Sequence, residues 1–114
     1  MTKFQFVKLN VLNAKLKALY EEENHLKSDI EFIRFIGGNG VLSEKRKRQL
    51  INCIENTNKT KSKIERIIEQ ENDEVAKTIL YMRYIKGLTF QDISDSINYS
   101  ISFISKKLLK YKGC

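Results

Sequence analysis

The residues able to do chemistry are few in this 114-residue chain, and their spacing excludes more than it offers. There is one histidine, His25, and there are two cysteines, Cys53 and Cys114, with no CxxC spacing. Neither a nucleophile–base pair nor a metal-ligand set can be assembled from them. Cys53 reads as a half-buried thiol within a helical pattern and Cys114 as a terminal one. Glu21-Glu22-Glu23 reads as a solvated face rather than a paired acid–base site. Gly37-Gly38-Asn39-Gly40 does not follow a strand, which removes the logic of a phosphate-cradling loop. The expectation is a protein that is not an enzyme and that needs no cofactor and no metal.

Binding is what remains. The last acidic residue is Asp95, and beyond it the chain carries Ser100, Ser102, Ser105, Lys106, Lys107 and Lys110. Hydroxyls and ammonium groups are donors that a polyanion accepts. Net charge is +7, and residues 75–114 hold seven basic against two acidic side chains, so +5 of it lies there. That asymmetry suits a nucleic-acid partner, with a solvated basic tail as the bland alternative. The run Lys45-Arg46-Lys47-Arg48 spreads around its helix and reads as a solvated helix end, or as a supplementary phosphate contact.

These groups need a scaffold. At 41% hydrophobic and 31% charged, with no proline, the composition fits one small soluble domain without long linkers. No run reaches the ~18 apolar residues of a membrane span, and the first residues lack the apolar core of a signal peptide. A cytoplasmic location and no membrane partner are expected. From Leu9 the positions Leu12, Leu16, Leu19, Glu23, Leu26, Ile30 and Ile33 alternate steps of three and four, the pattern of a helix that lays a narrow seam on another. It stops at the glycine cluster. Ser43-Glu44 is the expected N-cap of a second helix, whose weaker series runs Leu50, Ile54, Thr57, Lys61, Ile64, Ile68, Glu71, Val75. An antiparallel hairpin follows. Its leftover apolar residues Phe32, Phe35, Ile36, Ile51 and Ile67 argue for a homodimer, with Leu12, Leu16, Leu19, Leu26, Ile30 and Ile33 as the coiled-coil dimerisation residues. A monomer whose hairpin packs on its own C-terminal part is the alternative.

After residue 74 the helices become short. Val75, Ile79, Met82 and Ile85 carry one that ends at Gly87. Thr89 caps the next, with Asp92 as its capping-box partner and Phe90, Ile93 and Ile97 inward. Asn98 supplies a left-handed turn residue. Ser100 then caps a last helix whose inward residues Ile101, Ile104, Leu108 and Tyr111 fall within a sector of about 80°. The opposite side holds Ser102, Phe103, Lys106 and Lys110, with Ser105 and Leu109 at its edge. The expected fold is all-α: a helical hairpin over residues 1–74 followed by a helix-turn-helix over 75–114.

The stretch Met82-Arg83-Tyr84, Gly87-Leu88-Thr89-Phe90, Asp92-Ile93-Ser94 and Ile97-Asn98-Tyr99-Ser100 resembles region 4 of bacterial sigma factors and its relatives. Ser94 stands where that pattern has Ala, and Asn98 where it has Gly. The architecture as a whole is similar to small phage and Gram-positive transcription regulators of the ArpU-like and RinA-like kind. The resemblance implies a sequence-specific DNA-binding regulator of phage or mobile-element origin that reads the major groove of duplex DNA. It implies a recognition helix over Ser100–Tyr111, contacts from Ser102, Phe103, Ser105, Lys106 and Lys110, and Thr89 and Gln91 near the backbone. Lys107 is suited to a phosphate. Phe103 either meets thymine methyls or folds back into a core or protein interface. The resemblance also implies an alternative, a sigma-like interaction module or inhibitor acting on RNA polymerase or another nucleic-acid enzyme.

Overall fold

The computed structural model describes residues 1–37 and 40–111, and among these there are five α-helices and no strand. Gly38, Asn39 and Cys114, which the sequence reading invokes, lie outside the described residues. Helix α1 spans Lys3–Phe35, α2 Gly40–Ile68, α3 Glu74–Tyr84, α4 Phe90–Ile97 and α5 Ile101–Leu109. The contacts group Met1–Asn13 with the chain from Lys61 onward as one compact unit, and Ala14–Thr60 as a second. Residues 1–13 and 61–74, assigned to the hairpin by sequence, therefore pack with the C-terminal helices.

The second unit is the distal part of a helix pair. Its direction is antiparallel: Cys53 donates to the Leu19 carbonyl at 3.2 Å, while Arg46 meets Asp29 at 3.7 Å. Leu19, Leu26 and Cys53 are buried together, with Leu50 against them. Burial also raises the Cys53 thiol pKa, aided by the nearby charges of Glu22 and Glu23, so this is an inert core thiol rather than a half-buried one. The seam of α2 corrects the expected series. Cys53 and Thr60 are buried where Ile54 and Lys61 were expected, and Ile54 is exposed. Both series alternate steps of three and four, and Thr57 and Thr60 can stand in the seam because threonine satisfies its own hydroxyl. Thr57 donates to the Cys53 carbonyl at 2.9 Å and Thr60 to the Asn56 carbonyl at 2.8 Å, leaving their methyls for the seam. Ser43 lies inside α2, which begins at Gly40, so it is not the N-cap.

The first unit carries the larger core. Thr2 and Gln5 open α1 with reciprocal side-chain-to-backbone bonds of 2.8 and 3.1 Å, six residues before the apolar periodicity begins. Phe6 stacks on Tyr111 at 5.3 Å and meets Tyr84 edge-on at 6.4 Å. The Tyr84 hydroxyl donates to Asn10 at 2.8 Å. Leu9, Ile64, Ile68, Ile79, Leu80, Ile93 and Ile104 are fully enclosed, and Ile67 is buried too, not left on an outer face.

Between α2 and α3 sits an acidic pair. Glu71, only 7% exposed, accepts from the Tyr111 hydroxyl and from the Asp73 N–H at 3.1 Å, and lies 3.6 Å from the N-terminal ammonium and 3.9 Å from Lys110. Asp73 caps α3 by accepting from Val75 and Ala76 at 3.0 and 3.2 Å, and holds Lys107 at 2.7 Å and Lys110 at 3.5 Å. Burial alone would raise the Glu71 pKa, but the Tyr111 hydroxyl, the Asp73 N–H and the two cations outweigh it and lower it. The Lys107 ammonium, then the Ala76 N–H, hold Asp73 well below the ordinary carboxylate range. Burial and the facing Glu71 carboxylate push the Tyr111 phenol up.

Both carboxylates are more acidic folded than unfolded, where about 4.3 for Glu and 3.9 for Asp apply. Their contribution is therefore present above about pH 5 and is lost as pH falls through the unfolded and then the folded values. Thermal unfolding of Glu71→Gln, Asp73→Asn against the parent should show a gap at pH 7 that narrows steadily toward pH 3. A gap independent of pH would refute this role for the pair. A local constraint gives a second test. Asn98 is the sole non-glycine residue with positive φ (61°) among the described residues. Asn98→Val should cost about 1–2 kcal/mol by chemical denaturation, whereas Asn98→Gly should leave stability within about 0.5 kcal/mol.

Candidate nucleic-acid interface

Helices α4 and α5 are short, and caps rather than length define them. Thr89 accepts from the Asp92 N–H at 3.1 Å while the Asp92 carboxylate accepts from the Thr89 N–H at 3.3 Å, a closed capping box. Asn98 ends α4 in the left-handed conformation, its N–H bonded to the Ser94 carbonyl at 2.9 Å. Ser94 also donates its hydroxyl to the Tyr99 carbonyl at 2.6 Å, which fastens the turn. Ser100 then caps α5 by accepting from the Phe103 N–H at 3.1 Å. Gly87, at φ 68°, and the Arg83 bond to the Leu88 carbonyl at 3.0 Å shape the preceding turn between α3 and α4. Arg83 also lies over the Phe90 ring at 4.8 Å.

The side chains expected to meet DNA do not form one uniform set. Thr89, Gln91, Ser100, Ser102 and Lys106 are exposed, Gln91 being bonded to Asp95 at 2.9 Å. Ser105 is half-buried beside Leu108 and Leu109 in a small recess. Phe103 is half-buried: its ring stacks on Tyr99 at 4.5 Å with Lys107 over it at 5.5 Å, so it folds back rather than standing free. Lys107 is bonded to Asp73 at 2.7 Å, and Lys110, itself exposed, lies 3.5 Å from Asp73 and 3.9 Å from Glu71. Sequence reasoning could not find that bond, because 34 residues separate Lys107 from Asp73.

On the inner side Ile104, Leu108 and Tyr111 are buried, but Ile101 is not. It occupies the first turn of α5, beyond the reach of the core that takes the later residues. Ile101 (42%) and Leu109 (52%) thus stand in water on the helix that carries Lys106.

The six hairpin leucines and isoleucines assigned to dimerisation, Leu12, Leu16, Leu19, Leu26, Ile30 and Ile33, are all buried within the single chain. His25 and Glu21-Glu22 are exposed, and Glu23 is half-buried with Lys27 at 3.9 Å. In the basic run, Arg46 pairs with Asp29 and Lys47 with Glu44 at 3.6 Å. No group of three His, Cys, Asp or Glu side chains is placed to hold a metal ion among the described residues, and no helix among them is long and apolar enough to cross a membrane. Comparison of the chain with protein-family models, with curated proteins and with solved structures returns no match.

Proposed function

We propose that the chain is a sequence-specific DNA-binding transcription regulator that reads duplex DNA as a dimer, with α4, the Asn98 turn and α5 acting as a helix-turn-helix. The observation that carries this reading is the outer side of α5. It is rigidly capped at Ser100, free of acidic residues, and offers Ser102 and Lys106 to solvent. A helix with a slim polar outer face fits the major groove, and its first residues come nearest the base edges. Thr89 and Gln91, at the start of α4, are exposed where phosphate contacts belong in such a fold.

The lysines divide the work. Lys106 is the cation of α5 for phosphate, whereas Lys107 and Lys110 contribute first to the Asp73–Glu71 cluster. One subunit alone would then hold DNA weakly, and two half-sites on two subunits would supply the affinity. A second reading, a sigma-like module acting on RNA polymerase or another nucleic-acid enzyme, is favoured by Ile101 and Leu109. Both leave apolar surface on α5 that a protein groove would cover.

Selection of duplexes from a random pool at near-physiological salt separates the two. DNA reading predicts an enriched two-fold related motif, and Lys106→Glu should abolish its selection with the melting temperature unchanged. Lys106→Ala should reduce the salt slope of dimer binding by about 1.8, which is about 0.9 for each subunit. Lys107→Ala should instead lower the melting temperature, because it strips Asp73 of its closest cation. Loss of binding on Ile101→Ser, Leu109→Ser to a protein partner, with no enriched DNA, would establish the second reading.

A further inference from the structure

Helix α1 is continuous over Lys3–Phe35, and its buried stripe uses one side only. On another side Phe4, Val7, Val11, Ala14 and Ala18 follow steps of three and four, and each is exposed. The same steps continue through Glu21, His25 and Ser28 to Phe32 and Phe35, again all exposed. A 3–4 alternation held along a whole helix is a seam for another helix. The phenylalanines at positions 4, 32 and 35 are 77, 63 and 89% exposed. At about 150–250 Å² each, they alone leave roughly 350–550 Å² of apolar surface in water. With Val7, Val11 and the alanines the face approaches the ~800 Å² per partner of a stable interface.

We propose that a second copy of this chain covers this face, its α1 running antiparallel to the first. In that register Phe4 meets Phe35 of the second copy, Val7 meets Phe32, and Val11 meets Ser28. Toward the middle, Ala14 meets His25 and Ala18 meets Glu21, so the two larger polar side chains of the seam each face an alanine. The flanking charges choose the direction. Lys8 lies opposite Asp29 of the second copy and Lys15 opposite Glu22, each pair occurring twice by symmetry. Asp29 is half exposed beside Arg46, which leaves room for a second cation. A parallel pairing would keep a Lys17–Glu22 pair but set Glu21 against Glu21 within the seam and Lys3 beside Lys8, with like charges in contact. The buried leucine stripe takes no part.

The pairing itself does not rest on the DNA reading.

Sedimentation equilibrium of the full chain, without DNA, should give a dimer. Phe32→Glu should weaken it at least tenfold while circular dichroism keeps the helical signal, since this residue is exposed. Lys15→Glu should loosen the dimer several-fold and the added Glu22→Lys should restore it. Direction is read by disulfide formation in a Cys53→Ala, Cys114→Ser background. Val7→Cys mixed with Phe32→Cys should crosslink, and Val7→Cys alone should not. A monomer at all concentrations, a dimer indifferent to Phe32→Glu, or crosslinking of Val7→Cys alone would overturn the proposal. Lys106→Glu should leave the dimer intact, so a failure of DNA reading is distinguishable from a failure of pairing.

Discussion

Taking a carboxylate out of water costs several kcal/mol, and Glu71 stays charged there because donors converge on it from distant parts of the chain. The Tyr111 hydroxyl, the Asp73 N–H, Lys110 and the N-terminal ammonium all reach it. Asp73 adds the cap of α3 and the grip on Lys107. The start of α1, the link between α2 and α3 and the end of α5 are thus held by one pair of acids. Phe6 stacked on Tyr111 extends the same junction into the apolar core. Removing one donor would leave the buried Glu71 less well satisfied and so weaken its hold on the rest, which is why such a cluster behaves as a unit.

That junction shapes the surface of α5. Three lysines sit on the helix or at its end; Lys107 is bonded to Asp73, and the exposed Lys110 lies near Asp73 and Glu71. Positive charge at the C-terminal end of a helix also offsets its dipole, so the arrangement serves the fold twice. The outward charge at this end of the chain comes from Lys106 and Lys110, while Ile101 and Leu109 contribute apolar area beside them. Under the DNA reading, affinity must come from doubling the site rather than from a dense lysine patch. Under the protein reading, the exposed isoleucine and leucine act as anchors and Lys106 as rim.

What was legible in the sequence is what depends on near neighbours. The long first helix, the Thr89–Asp92 box, the Asn98 turn and the positive φ at Gly87 all follow from residues within a few positions. The α2 seam runs through Thr60 rather than Lys61 because threonine counts as polar until its hydroxyl is returned to its own helix, whereas Cys53 in place of Ile54 depends on what faces it across the pair, at Leu19. Glu71 looked like a flaw in an apolar series; its partners lie 40 residues away at Tyr111 and 70 residues away at the N-terminal ammonium. Phe103 could be placed outside by angle alone, yet its stacking on Tyr99 depends on how the turn brings the two rings together. Ile101 fits the inward sector by angle, but angle does not say where the core ends.

The two apolar stripes of α1 differ in strength, and that difference sorts their partners. The leucine–isoleucine stripe is the better seam, and a reading by periodicity alone gives it to a second chain. A short connection between α1 and α2, however, makes the competing helix intramolecular, at an effective concentration in the millimolar range or above. The strongest stripe is therefore taken within the chain, where all six of its assigned residues are buried. The Phe–Val–Ala stripe, interrupted by Glu21, His25 and Ser28, is left for whatever binds from solution. An interrupted seam is a weaker dimer determinant but a more selective one. In the proposed pairing its larger polar members fit the antiparallel register, where alanines face them, and not the parallel one, where each would face its own copy. Sequence patterns near a hairpin should accordingly be read in order: the best stripe closes the fold, and the next best names the partner.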